Sequence, residues 1–335
     1  MTNQRWYADE YEEHYEELFN PLRTDRKARR SRRPQAHHTP KKAPGKAITE
    51  VVDVADVLED GFNPTYQPSL FEEGWLLNSL RVFYDQGLIT DVLGQIKGGK
   101  EASVYRCAAH PRTGVTLLAA KVYRPRMFRN LRNDKMYREG REFLTAEGRA
   151  VKKTDHRLMR AVGKKTAFGQ QVQHTSWLMY EYTTLQRLHV AGAAVPKPFA
   201  ASENAILMGY CGDAQIAAPV LNDVGLEREE VAPLFQEMLR NVALMLQHGL
   251  IHGDLSAYNI LYWEGQITLI DFPQVTNCRT NGNAYAILQR DIRRVCEYFA
   301  RQGMKIDSEV LADHLWNRYV AITPDDRALD IGLLF

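Results

Sequence analysis

From residue 69 onward the chain alternates between stretches with an apolar residue every three or four positions and shorter apolar runs broken by glycine. The first stretch opens at Ser69 and carries Leu70, Phe71, Trp75, Leu76, Leu80, Val82 and Phe83 before Gly87, which predicts a helix with one apolar face. Residues 93–105 split at Gly98 and Gly99 and read as a hairpin, while residues 117–123 read as a strand whose one charged residue is Lys121. Apolar spacing is then lost over residues 124–176, a basic stretch that predicts an irregular, mobile insertion, and it returns over 177–189 as a helix. Residues 205–212 read as a strand. The clearest helix carries Val231, Leu234, Phe235, Met238, Leu239, Val242 and Leu246 on one face and stops at Gly249. After it come a polar loop, two short apolar runs that close at Ile270, and helices near residues 284–302 and 308–320.

The chain has 335 residues, enough for two lobes around a substantial core. No apolar run reaches transmembrane length and the first five residues lack a secretory core, so a cytoplasmic protein without a membrane is expected. Cys107, Cys211, Cys278 and Cys296 are scattered without metal-ligand spacing, which predicts free thiols in a reducing compartment. The net charge of +2 conceals a segregation, with six acidic residues and one Arg in residues 1–20, then ten Lys or Arg against one Asp in residues 22–47. With so few aliphatic residues, residues 1–47 read as a charged, disordered tail. Two readings of the tail stand side by side: a contact for RNA or a ribosomal precursor, gaining affinity by releasing phosphate counterions, and a solvated segment with no dedicated partner. The basic stretch 124–165 shares the first reading.

Candidate chemistry concentrates in His252-Gly253-Asp254-Leu255-Ser256-Ala257-Tyr258-Asn259 and in Asp271, which closes the run Ile267-Thr268-Leu269-Ile270. An H-x-D-x-x-x-x-N spacing followed by that Asp matches the catalytic and metal loops of protein-kinase-like phosphotransferases. The residue types suit the reaction: Asp254 to accept the proton of an attacking hydroxyl, Asn259 and Asp271 to offer oxygens to Mg²⁺, and His252 to brace the loop. The plain alternative is a polar turn capped by Asp254. Lys97-Gly98-Gly99-Lys100-Glu101-Ala102 makes a glycine turn whose backbone N–H groups can face phosphate, with lysines adding positive charge, although a simple hairpin reads the same. Lys121 needs a partner, since an unpaired buried ammonium is costly. Glu181 is the candidate, against the alternative of a Lys snorkelling from an edge strand. The strand leading through Met208, Tyr210 and Cys211 offers backbone donors and acceptors to an adenine edge. Asp291, on a predicted helix, reads as a buried brace for the catalytic loop.

Taken in order, Gly99 through Tyr105, Ala120 through Tyr123, Trp177 through Glu181, His252 through Leu261 and Leu269 through Gln274 resemble the RIO family of atypical serine/threonine kinases. The resemblance covers roughly residues 70–305. It implies an α+β, two-lobed protein-kinase-like fold of trimmed type, with a small β-rich N-lobe, a helical C-lobe and an N-terminal helical extension. The chain then divides into the tail 1–47, an extension 48–92, an N-lobe 93–210 with the insertion 124–176, and a C-lobe 211–335. The resemblance also implies ATP with Mg²⁺ or Mn²⁺, phosphorylation of serine or threonine including the chain's own, or ATPase turnover, and a place in small-subunit ribosome maturation. Asp254 is then the catalytic aspartate, Asn259 and Asp271 hold metal, and Lys121 with Glu181 forms the ion pair that orients the phosphates. The turn from Lys97 to Ala102 and Ser256 contact the cofactor, and the strand from Met208 to Cys211 cradles adenine. Lys97-Gly98-Gly99 departs from the Ser-Thr-Gly or Ser-Gly turn usual in the family, and Gly209 stands where a hinge Glu is common. His-Gly-Asp-Leu-Ser with an Asn five residues after the Asp also suits a small-molecule kinase of aminoglycoside type, against which the Gly-Lys-Glu-Ala turn and the basic insertion speak. A scaffold that binds ATP as a switch, without catalysis, is the third reading. No Ala-Pro-Glu motif follows Asp271, so a long peptide-docking segment is not expected.

Overall fold

The computed structural model describes residues 62–68, 70–99, 101–124, 137, 139, 141–151, 156–164 and 166–321, all within the unit Val51–Phe335. The acidic and basic tail and residues 125–136, 138, 140, 152–155 and 165 of the basic stretch lie outside them. Helix α1 (Leu70–Asp85) precedes three strands, β1 (Ile89–Gly98), β2 (Ala102–Ala109) and β3 (Leu117–Tyr123). Helices α2 (His156–Gly163) and α3 (Ala167–Val190) follow, then β4 (Pro198–Ala201) and β5 (Ala205–Gly209). The five strands form one antiparallel sheet in the order β1-β2-β3-β5-β4.

The sheet is covered on both faces, which explains why β3 reads as an apolar run with a single charge. Side chains alternate along a strand, so Leu118, Ala120 and Val122 share one face and Lys121 and Tyr123 the other. The first face packs with Leu76, Leu77, Leu80 and Phe83 of α1 into a buried cluster that includes Tyr105 and Cys107. On the second face Tyr123 and Ile206 join Trp177, Leu178 and Met179 of α3. The extension helix is therefore a structural wall of the sheet. It is strapped further by Tyr66 N–H on the Val92 carbonyl at 2.8 Å and by Thr65 on the Asp91 carboxylate at 2.6 Å.

Beyond β5 the chain is mainly helical. α4 (Arg228–Gln247) opens on a capping box between Glu227 and Glu230 and buries Val231, Leu234, Phe235, Met238, Val242, Met245 and Leu246. Two-residue β6 (Leu250–Ile251) leads into the polar loop. The hairpin β7 (Ile260–Trp263) and β8 (Gln266–Leu269) and then β9 (Thr276–Asn277), paired with β6, enclose it. α5 (Ala284–Arg301) and α6 (Ser308–Trp316) close the core, with Phe299 of α5 edge-on to Phe235 at 5.0 Å. No helix among the described residues is long and apolar enough to cross a membrane, and all four cysteines are free.

Two departures from the sequence expectation have physical causes. The stretch expected to be irregular carries α2, and α3 begins ten residues before Trp177 because Thr166 caps it there, its side chain accepting from the Gly169 N–H at 3.1 Å. β4 is also unannounced, because its four residues follow a proline-rich turn and none is fully buried. The α2–α3 approach depends on Gly169: a Cβ there would lie 2.0 Å from the Ala161 carbonyl oxygen. Gly169→Ala is expected to force the helices apart and cost about 1–3 kcal/mol, read as a lower midpoint in urea unfolding. An unchanged midpoint would show that the contact is slack.

Candidate active site

The sheet register delivers the first charged group. Lys121 pairs with Val104 on one side and Ile206 on the other, and Val104 in turn pairs with Lys97 at the end of β1. Lys97 and Lys121 thus lie in one row across the sheet. Lys97, Gly98 and Gly99 end β1 and enter the turn, Glu101 and Ala102 leave it, and Lys100 lies outside the described residues. Gly99 is held close, since a Cβ there would lie 2.7 Å from the Ala102 carbonyl oxygen.

Lys121 Nζ lies 2.7 Å from Glu181 Oε1 on α3 and 2.5 Å from Asp271 Oδ1, just past β8. Burial alone would lower the Lys121 pKa, but the two carboxylates outweigh it and hold the value well above the ordinary one. Partial burial acts in the opposite direction on Asp271, raising it, and the Lys121 ammonium more than offsets this, leaving the carboxyl below its usual range. The two carboxylates differ in access. The Glu181 side chain is 4% exposed and Asp271 42%, so a ligand can reach Asp271 while Glu181 stays sealed. Glu181 is fixed further by the Tyr123 hydroxyl, which donates to Oε2, and by the Phe272 N–H at 3.3 Å.

The polar loop is built around Gly253, whose φ is +85° and where a Cβ would lie 2.2 Å from the Gln274 carbonyl oxygen. His252 is buried against Phe272. Its Nε2 donates to the Ile270 carbonyl at 3.1 Å and its Nδ1 accepts from the Asp254 N–H at 3.3 Å. Burial lowers its pKa against the pull of Asp254 and Asp271, so the ring is neutral and ties the two loops together. Asn259 donates from Nδ2 to the Asp254 carbonyl at 2.8 Å and to Asp254 Oδ2 at 3.1 Å, which leaves its amide oxygen for another partner. Its backbone carbonyl accepts from the Ile270 N–H at 3.0 Å, so the β7–β8 hairpin sets Asn259 beside the residue that precedes Asp271. Asp271 itself has φ +71°, a left-handed conformation that costs energy and that Asp tolerates better than most residues.

Lys97, Lys121, Glu181, Asp254, Asn259 and Asp271 are thereby gathered around one seam. Ser256 sits in the same loop, its carbonyl accepting from the Asn259 N–H at 2.9 Å. Met208 is on the sheet face of Lys121, two residues beyond Ile206. β5 ends at Gly209, so Tyr210 and Cys211 lie beyond the strand rather than on it, and the Cys211 carbonyl accepts from the Ala218 N–H at 3.0 Å. Sequence reasoning passed over Tyr123 and three arginines. Tyr123 was detectable, since period two puts it on the face of Lys121. Arg141 reaches the carbonyls of Pro273 and Val275, Arg290 that of Gly253, and Arg294 Nη1 lies 2.7 Å from Asp254 Oδ1. A basic stretch without periodicity gave no signal for Arg141. Arg294 is one helical turn from Asp291 and was detectable once Asp291 is read as a brace.

Asp291 does brace the loop, accepting the Gly253 N–H at 2.8 Å. Burial pushes its carboxyl up to about 7, with Arg290 pulling partly in the other direction. A carboxyl raised above its ordinary value stabilises the fold at low pH, and that contribution is lost as pH rises through the folded value. His252 acts with the opposite sign, since an unfolded chain takes up the proton that the buried ring refuses. Comparison with Asp291→Asn separates the two. Wild-type Tm should rise relative to the variant between about pH 8 and about pH 5. A flat difference would mean that Asp291 stays charged throughout.

Among the described residues no group of three or more His, Cys, Asp or Glu could hold a metal on protein ligands alone. Asp271 and Asn259 are instead a pair of hard oxygen donors, a set that suits Mg²⁺ when phosphate and water complete the shell.

The RIO domain family matches residues 104–311, from the second strand to the first turn of α6. The serine/threonine-protein kinase RIO1 of Chaetomium thermophilum is 30% identical over 241 residues, 69% of this chain and 43% of that protein. The RIO-type serine/threonine-protein kinase Rio1 of Haloferax volcanii is 30% identical over 255 residues, 76% of this chain and 78% of that protein. A crystal structure of the Rio2 kinase-ADP/Mg²⁺-phosphoaspartate complex from Chaetomium thermophilum aligns at 19% identity with a TM-score of 0.48, covering 76% of this chain and 70% of that one. The assignment stands on the domain match and the two sequence relatives rather than on that superposition, and by them the chain belongs to the RIO family of atypical serine/threonine kinases.

Proposed function

We propose that this chain transfers the γ-phosphoryl group of ATP to serine or threonine hydroxyls of a protein, its own among them, or to water. The observation that carries the reading is Lys121, one ammonium held between the sealed Glu181 and the accessible Asp271. A fixed cation beside an accessible carboxylate and an Asn oxygen is a receptor for phosphate and its metal. Asp271 and Asn259 would hold Mg²⁺ or Mn²⁺, which supplies neutralisation of the phosphate charge when bound. Lys121 orients the phosphates, the turn from Lys97 to Ala102 turns backbone N–H groups toward them, and Ser256 adds a contact. The segment from Met208 to Cys211 takes the adenine edge. Asp254, oriented by Asn259, receives the proton of the acceptor hydroxyl.

The relatives' names as serine/threonine-protein kinases favour a protein acceptor over an aminoglycoside-like one. The same reading takes the division at residues 47, 92 and 210 as tail, extension, N-lobe and C-lobe. It places the chain in the cytoplasm, where free thiols persist, and gives the basic segments 23–46 and 124–165 an RNA or ribosomal precursor as partner.

Two variants separate the roles. Asp271→Ala should abolish metal-dependent turnover and leave the fold intact, whereas Asp254→Ala should cut the rate by ~10²- to 10⁴-fold with ATP affinity unchanged. The measurements are ATP turnover and calorimetric binding of ATP with Mg²⁺. Unaltered turnover in Asp271→Ala protein would remove the metal assignment, and a fall in ATP affinity as steep as the fall in rate would make Asp254 a ligand rather than a base.

A further inference from the structure

Three residues of α5 address consecutive groups of the loop. Asp291 takes the Gly253 N–H at 2.8 Å, Arg290 donates to the Gly253 carbonyl, and Arg294 Nη1 lies 2.7 Å from Asp254 Oδ1. The first two act on the backbone. Arg294 acts on the side chain that the proposed reaction uses, and its own side chain is only 17% exposed against 38% for Asp254. Such a pair is shielded more than a surface ion pair, whose median contribution is close to zero. With Asn259 Nδ2 on Oδ2 at 3.1 Å, both carboxylate oxygens have a donor on opposite sides. Each carboxylate oxygen keeps a second acceptor site, so an acceptor hydroxyl can still bind.

A carboxylate held by one donor can rotate about its Cβ–Cγ bond, and one held by two cannot rotate without breaking a bond. Asn259 holds Asp254 from within the loop, and it is also the residue whose oxygen the metal would draw on. Arg294 holds it from a helix anchored in the core, where Asp291 and Ile292 are buried to 1% and 0%. Its grip therefore survives any adjustment of Asn259.

We propose that Arg294 is a positioning residue for phosphoryl transfer: it fixes the orientation of the Asp254 carboxylate toward the acceptor hydroxyl and does not touch the nucleotide. The inference rests on the reading of Asp254 as the proton acceptor. No atom of Arg294 changes its bonding in the step; the hydroxyl proton goes to Asp254 as the hydroxyl oxygen forms its bond to phosphorus and the bond from phosphorus to the ADP oxygen breaks.

The test is a mutant cycle on the full chain, measuring kcat, KM for ATP and Tm for wild type, R294A, R294K, D254A and the R294A/D254A double variant. A misplaced catalytic group costs up to roughly 10²-fold, so R294A should lose about ten- to a hundredfold in kcat at unchanged KM for ATP. R294K, which keeps the charge but not the planar fork, should recover part of that loss. The double variant should be no slower than D254A, because Arg294 acts only through Asp254. An R294A loss that persists undiminished in the D254A background would overturn the proposal, as would an R294A rate equal to wild type while D254A is slow. D254A at the wild-type rate would instead overturn the reading of Asp254 itself. Should R294A fold poorly by its Tm, R294K carries the comparison: kcat equal to wild type for this variant, with its altered geometry, would exclude a role in orientation.

Discussion

An ammonium sealed under a β-sheet is tolerable only when opposite charge meets it, and in this chain two carboxylates from distant parts of the sequence do so. Removing the sealed partner of such a bridge, here Glu181, typically costs about 3–5 kcal/mol, because the buried charge is left poorly compensated, whereas the accessible Asp271 can be replaced at less cost. The arrangement of Lys121, Glu181 and Asp271 therefore constrains much more than itself. It demands that β3 be interior, that α3 cross behind it at Glu181, and that the β7–β8 hairpin end where Asp271 can reach across. The extension helix α1 has its place in the same logic, because it closes the face of the sheet away from the charge.

The polar loop from His252 to Asn259 depends on a second constraint, the anchoring of a short glycine-containing turn to a core helix. Gly253 is left-handed and crowded by Gln274, and α5 ties both of its backbone polar groups. His252 links that loop to the strand end before Asp271 through the Ile270 carbonyl. The loops that carry Asp254 and Asp271 are thus positioned in part by His252 and Gly253, which the proposed reaction does not use. Strain and buried charge are concentrated where two loops must keep a fixed separation.

Much of this was legible in the sequence because each feature had local punctuation. The face of α4 was marked by regular apolar spacing and by Gly249, β3 by its one lysine in an apolar run, and the loop by its His-x-Asp and Asn spacing. The pairing of Lys121 with Glu181, sixty positions apart, followed from the cost of a lone buried charge together with the family resemblance. What could not be read were contacts that depend on tertiary placement alone. Arg141 reaches two carbonyls beyond Asp271 from a stretch with no periodicity, and α2 packs on α3 through Gly169, a residue that sequence reasoning treats as a breaker. Tyr210 and Cys211 were expected on a strand that ends at Gly209, since a five-residue strand carries too little pattern to mark its own end.

The direct measurement is a crystal structure of the chain with a non-hydrolysable ATP analogue and Mg²⁺. Lys121 should keep Glu181, leave Asp271 and lie within hydrogen-bonding distance of an α- or β-phosphate oxygen, with Asp271 and the Asn259 amide oxygen on the metal. A nucleotide bound away from Lys121, or Lys121 still closed on Asp271 with the nucleotide in place, would contradict the bridge as the phosphate site.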